Sequence, residues 1–139
     1  MSDSQDWAAL IVSGTRHLHD GRHDLALADF NQAIAHAPDA AEAFYGRALT
    51  HQHRKALDEA ITDFDRALEL DPAHIDALFK RSAVHRLKGD FDKAAADFDH
   101  AIKSLWQQRE RAETAGPGTP AAAAPKTESI ETTGIGQAA

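Results

Sequence analysis

The chain has 139 residues, of which 42% are hydrophobic and 27% charged, the composition of a single globular domain. Its formal net charge of −7 and its lack of a long basic run argue against nucleic acid as the main partner. The absence of cysteine excludes disulfides, thiolate metal sites and cysteine nucleophiles.

The N-terminus predicts neither a secretion signal nor a membrane anchor. Its first residues, MSDSQDWAAL, carry aspartates where a signal peptide has basic residues, and no apolar segment follows. No stretch of the chain approaches the ~20 apolar residues that a membrane helix needs. We therefore expect a cytoplasmic protein that does not contact membranes.

The first predicted structural unit, residues 7–40, consists of two helices. In the second helix apolar residues recur every three or four positions, the period of a helix with one buried face. These residues are Leu27, Phe30, Ala33, Ile34 and Ala37. Asp24 stands in the first turn, where a carboxylate favours the positive end of the helix dipole. Pro38 ends the helix because proline cannot continue it.

The same pattern returns twice, at an offset of 34 residues each time. The aligned positions are Gly14, Ala48 and Ser82, then Ala26, Ala60 and Ala94, then Phe30, Phe64 and Phe98. The small residues predict a close helix crossing within each unit, and the aromatic residue predicts contact between units. Lys55 replaces the turn glycine of the second copy, which predicts a strained or lengthened turn. Trp106 replaces the closing proline of the third copy, so the last helix is predicted to extend to about residue 113.

These residues resemble the tetratricopeptide repeat, in three tandem copies at 7–40, 41–74 and 75–108. The resemblance implies an all-α fold, an α-solenoid of three helix-turn-helix hairpins within a domain of residues 1–115. It also implies a non-enzymatic protein-protein interaction module, an adaptor or scaffold. Such a module binds a peptide or an amphipathic helix in a concave groove lined by the first helix of each hairpin.

Residues 116–139 differ from the repeats in composition, being rich in Ala, Thr, Gly and Pro. They can bury too little apolar surface to offset their ordering entropy, so we predict a disordered tail. The alternative is that the segment ESIETTGI of this tail occupies the groove of its own chain.

The segment RHLHDGRH, residues 16–23, invites a metal-binding interpretation, but its histidines belong to the repeat. His17 and His19 return as His51 and His53, each 34 residues later. Residues two apart on a helix point to nearly opposite sides and cannot chelate one ion together. We therefore expect no metal site.

The sequence contains no catalytic motif: it has no Gly-x-Ser-x-Gly elbow, no phosphate-binding glycine loop and no His-Glu-x-x-His. The repeated Asp29, Asp63 and Asp97 are instead predicted to pair with Arg47 and Arg81 on first helices. Neither catalysis nor a cofactor is expected.

Transferred position by position, the resemblance places the groove on the three first helices. An apolar band runs along it, bordered by basic groups near the turns, although any single position could instead pack helix against helix. The predicted groove residues are Ile11, Thr15, Leu18, His19, Tyr45, Leu49, Gln52, His53, Phe79, Ala83, Arg86 and Leu87.

Some members of this family bind the acidic C-termini of heat-shock chaperones through a carboxylate clamp of Lys, Asn, Asn, Lys and Arg. The matching residues here are Ile11, Thr15, Gly46, Asp76 and Lys80. Only Lys80 keeps the positive charge, so a co-chaperone role of that kind is not expected.

The groove predicts a partner that supplies apolar anchors, and acidic side chains on this partner would suit the basic border. Two alternatives stay open. The chain could be a self-associating scaffold through Ile102, Leu105 and Trp106 of its extended last helix, or a chaperone of the secretion type built on similar repeats.

Overall fold

The computed structural model describes residues 3–115, and it describes the side chains of residues 6–115. This range forms six helices and no strand: α1 (Asp3–His19), α2 (His23–His36), α3 (Ala41–His53), α4 (Leu57–Leu70), α5 (Ile75–Leu87) and α6 (Phe91–Ala115). The predicted all-α fold is confirmed, and so is the extension of the last helix. The predicted tail, residues 116–139, lies outside the described residues. None of the described helices combines the length and the apolarity required to cross a membrane.

Small residues allow the two helices of each hairpin to approach closely. In the second repeat Ala48 of α3 and Ala60 of α4 are both fully buried. In the third repeat Ser82 takes the place of Ala48, and its hydroxyl donates to the carbonyl oxygen of Ala94 at 2.7 Å. The hydroxyl thus finds a partner on the facing helix, so a polar residue is tolerated at this crossing.

The turn between the two helices has the same backbone conformation in all three repeats. Gly21 and Gly89 have φ angles of 77° and 85°, and Lys55 at the equivalent position has a φ of 65°. After Lys55 the amide of Ala56 donates to the carbonyl of His51 at 2.9 Å, the bond that closes a helix ending on a left-handed residue. The predicted strain at Lys55 is therefore confirmed, at a cost of about 1 kcal/mol relative to glycine, and the turn is not lengthened.

Phe30 determines how closely the second repeat stacks on the first. Its side chain is fully buried and lies against Gly14 of its own repeat and Gly46 of the next. A Cβ atom built on Gly46 would lie 2.3 Å from the ring of Phe30, so only glycine permits this approach. The equivalent Phe64 is also fully buried, in a core cluster that includes Leu78 and Val84.

The first compact unit of the chain ends at Ile102, and the second begins at Lys103. In the second unit the described residues are the remainder of α6. There Arg109 donates to Glu113 at 3.1 Å, and its guanidinium lies 5.3 Å from the centre of the Trp106 ring. The boundary of the domain at residue 115 stays a prediction.

Candidate functional site

The first helices form a continuous layer of the first unit. α1 contacts α3, and α3 contacts α5. The resemblance implies that this layer of first helices lines the concave side of the stack, and this placement stays a prediction.

The predicted groove residues occupy four rows of equivalent positions, and each row takes one residue from α1, α3 and α5. The first row consists of large side chains that are all half-buried, and the second row carries one. The rows are Ile11, Tyr45 and Phe79; Thr15, Leu49 and Ala83; Leu18, Gln52 and Arg86; and His19, His53 and Leu87.

These positions differ in how much of the side chain a ligand can reach. Thr15, His19, His53, Arg86 and Leu87 are exposed, and six others are half-buried. Leu18 is the exception, because it is only 8% exposed and packs in a core cluster with other buried residues of the first hairpin. The structure thus places Leu18 within the core, whereas Leu87, 63% exposed, is the most accessible apolar residue of the set.

Tyr45 in the centre of the first row is held by aromatic neighbours. Its ring lies 4.6 Å from that of His74 and 6.0 Å from that of Phe64, measured between centroids. Burial, together with the negative charges of Asp76 and Glu42, raises the pKa of the Tyr45 phenol to about 12. The phenol is therefore a neutral hydrogen-bond donor at any physiological pH.

The two edges of the groove carry ionisable side chains of opposite type. At the C-terminal ends of the first helices lie His19, His53 and Arg86, and at the N-terminal ends lie Glu42 and Asp76. Each sign is the one that the helix dipole favours at that end. The edge near the turns is therefore basic and the opposite edge is acidic.

His74 and His23 also contact groove residues, and the sequence analysis did not predict these contacts. The Nε2 atom of His74 lies 3.0 Å from a carboxylate oxygen of Glu42, and His23 stacks on His53 with centroids 5.9 Å apart. His74 precedes α5 at a position where the first repeat has Ala40, so no repeat signal marks it. For His23, the proximity to His53 follows only from the stacking of the repeats.

A polar network lies between the first and second helices of the second and third repeats. Arg47 donates two hydrogen bonds of 2.8 Å to Asp63, and Arg81 donates two of 2.7 Å to Asp97. The predicted pairing is confirmed for these two aspartates. It is wrong for Asp29, which accepts a 2.6 Å hydrogen bond from Ser13, because serine takes the arginine position in α1.

His51 and His85 lie beside this network. Their imidazoles approach the carboxylates of Asp63 and Asp97 to 3.6 and 3.9 Å. Burial nevertheless lowers the pKa of both histidines, and it outweighs the attraction of the carboxylates. Both side chains are therefore neutral at physiological pH.

These lowered pKa values predict that acidification destabilises the fold. In the unfolded chain a histidine titrates near pH 6.5, so below that pH the unfolded state binds more protons than the folded state. The free energy of unfolding should fall as the pH drops below about 7, and the double variant His51→Gln, His85→Gln should show a weaker fall. Urea titrations at several pH values measure this. His100→Gln, a change at an exposed position of α6, is the control, and an unchanged pH slope in the double variant would contradict the assignment.

The sequence and the fold can be compared with those of known proteins. A family model described as tetratricopeptide repeat matches residues 12–75 and, in an overlapping match, 58–110. A crystal structure of MamA has a TM-score of 0.73 and 20% identity over 77% of this chain and 63% of that one. MamA 41-end from Desulfovibrio magneticus RS-1 has a TM-score of 0.69 and 25% identity over 73% and 58%. This chain thus spans less than two thirds of either MamA chain.

A peptide complex is also similar. The second TPR of Spaghetti (RPAP3) bound to HSP90 peptide SRMEEVD has a TM-score of 0.69 and 21% identity, over 71% of this chain and 92% of that one. The comparison with curated proteins gave no match.

Proposed function

Because the chain belongs to the tetratricopeptide repeat family, we propose that it is a non-catalytic protein-interaction module. Its ligand is a peptide or an amphipathic helix held on the concave side, against α1, α3 and α5. The observation that carries this proposal is the row formed by Ile11, Tyr45 and Phe79, whose large side chains each leave part of their surface accessible. Such a row on neighbouring helices offers apolar contact area for two or three side chains of a partner.

The charges at the edges of the groove define the ligand further. Acidic side chains of the ligand would lie at the basic edge, near His19, His53 and Arg86. The carboxylates of Glu42 and Asp76 would repel them from the opposite edge. We therefore propose a ligand with apolar anchors and an acidic end, bound in one direction across the groove.

The similarity to the RPAP3 module supports a peptide ligand in this fold. It does not support the same peptide, because the clamp positions of this chain lack the necessary side chains. Asp76 would oppose the carboxylates of the peptide with like charge, and Gly46 has no side chain to donate a hydrogen bond.

Peptides selected from a random 16-residue display library on the full chain test this proposal. We expect the selected peptides to share large apolar residues and an acidic end. Leu87→Gln should weaken their binding by about tenfold or more, because burying one apolar anchor contributes ~1.5–3 kcal/mol. Fluorescence anisotropy with labelled peptides measures the dissociation constants.

The matched control is Leu25→Gln. Leu25 is 49% exposed, but it lies on the second helix of its repeat, away from the groove. This variant should bind the peptides as the unchanged chain does, and both variants should keep their helical circular dichroism. Equal losses in the two variants, or a selection that yields no binding peptide, would exclude the proposed groove.

Self-association is a second candidate. Leu105 and Trp106 are 48% and 55% exposed, and two large apolar side chains at the surface favour a contact with another chain. Light scattering of the full chain at increasing concentration tests this candidate, and a constant monomer mass excludes it. The cytoplasmic location, the adaptor role and the secretion-chaperone alternative stay predictions.

A further inference from the structure

The outer surface of α6, the second helix of the third repeat, carries the residues that join the earlier repeats, and no further helix of the described residues 3–115 covers them. Phe30 and Phe64 are fully buried, whereas Phe98, the third residue of this series, is 50% exposed. Phe98 keeps the contact within its own repeat, since its ring packs edge-to-face on Phe79 with centroids 5.4 Å apart. What it lacks is the helix of a following repeat, because α6 is the last helix of the described residues.

The two interfaces between consecutive repeats indicate which side chains would fit this surface of α6. Where the third repeat packs on the second, Arg81 donates to Asp65 at 2.7 Å and Lys88 forms an ion pair with Asp58. The cluster that buries Phe64 there includes Ala77 and Val84, both fully buried.

The same contacts join the second repeat to the first. Arg47 donates to the amide oxygen of Asn31 at 2.9 Å, and Arg54 donates to Asp24 at 2.8 Å. Thr50, the counterpart of Val84, is fully buried. Each covering helix therefore presents an arginine, and a second cation seven residues later, to the preceding second helix.

The residues that accept these contacts on α2 and α4 have equivalents on α6. Asp92 follows Asp24 and Asp58, and Asp99 follows Asn31 and Asp65, each at the offset of 34 residues. Both are exposed, on either side of Phe98. We call the surface formed by Asp92, Ala95, Phe98 and Asp99 the end face.

We propose that the end face binds a helix of a partner protein with the pattern Ala-x-x-x-Arg-x-x-(Thr/Val)-x-x-x-(Arg/Lys). The pattern is the one that α3 and α5 present to the helices they cover, with the arginine on Asp99 and the second cation on Asp92. The end face lies on a second helix, whereas the groove lies on the first helices, and the two surfaces touch where Phe98 packs on Phe79.

A second copy of this chain does not fit the end face. Its α1 would bring Ser13 to the position of the arginine and Asp20 to that of the second cation. Asp20 would then oppose Asp92 with like charge, which disfavours the contact. The tail of the same chain does not fit either, because residues 116–139 contain one basic residue, Lys126.

A peptide copied from residues 74–89 of this chain, which carries Ala77, Arg81, Val84 and Lys88, serves as the ligand in the test. We expect it to bind the full chain in fluorescence anisotropy. The double variant Asp92→Lys, Asp99→Lys should lose about tenfold or more in affinity, because both charge pairs become repulsive. A peptide in which glutamate replaces Arg81 and Lys88 should bind this variant and not the unchanged chain.

Two control variants test whether the peptide binds at the end face and not elsewhere on the chain. Glu59→Lys changes an exposed carboxylate at a position where the third repeat already has Lys93, and it should leave peptide binding unchanged. Leu87→Gln in the groove should also leave it unchanged. Absence of binding to the unchanged chain, failure of the charge-swapped pair to bind, or a loss caused by Leu87→Gln would overturn the proposal.

Discussion

Replacing Phe64 by alanine is expected to lower the free energy of unfolding by about 3–5 kcal/mol, the range for a fully buried aromatic side chain. The ring has no exposed surface and packs in a cluster with Leu68, Leu78 and Val84. Its removal leaves a cavity between two repeats that neither can close without losing other contacts. Urea unfolding followed by circular dichroism measures the change.

The equivalent substitution in the third repeat, Phe98→Ala, is the control. Half of this side chain is already exposed, so we expect a loss of about 1–2 kcal/mol. A chain of this size has a total free energy of unfolding of about 5–10 kcal/mol, so Phe64→Ala could unfold it. In that case the milder pair Phe64→Leu and Phe98→Leu provides the comparison. Equal losses at the two positions in dilute monomer would contradict the stacking order described for the repeats.

Replacing Gly46 by alanine is expected to lower the free energy of unfolding by about 2–3 kcal/mol, as inserting a methyl group into a packed core does. The new Cβ would lie 2.3 Å from the Cε1 and Cζ atoms of Phe30, so either the buried ring or the second repeat must shift. The result would be opposite to that of most Gly→Ala changes within a helix, which stabilise by about 1 kcal/mol. Thermal and urea unfolding measure it.

A second substitution tests the cause of this loss. In the background of Phe30→Leu the ring is absent, so Gly46→Ala should cost less than about 1 kcal/mol or become stabilising. Gly14→Ala, whose Cβ would lie 3.0 Å from the same ring, should cost less than Gly46→Ala in the unchanged background. Additive losses in the double variant would mean that the contact with Phe30 is not responsible.

The repeat architecture was predictable because the same pattern of residues occurs three times in the sequence. Alanine, aspartate and phenylalanine recur at the same offset, and this recurrence identified both the helix crossings and the Arg–Asp pairs. The one wrong pairing, at Asp29, had a visible cause in the sequence, since Ser13 takes the place of Arg47 and Arg81.

The accessibility of the groove was less predictable. Sequence spacing assigns Leu18 to the same face as Gln52 and Arg86, but only the packing of α2 on α1 shows that Leu18 is buried. The contact of His74 with Tyr45 depends on the path of a loop whose residues do not repeat. Such contacts join residues that no periodicity relates, so they follow from the three-dimensional structure alone.

The 34-residue spacing of the polar contacts between repeats affects how the gene could be lengthened by duplication. Arg81 meets Asp65 as Arg47 meets Asn31, so a duplication of the 34 codons for residues 41–74 would insert a hairpin whose arginine and acceptor positions match those of its neighbours. The two junctions are nevertheless not equivalent, since one arginine faces a neutral amide and the other a carboxylate. In an array lengthened in this way, each junction would keep the neutral or charged acceptor of the second helix that was copied.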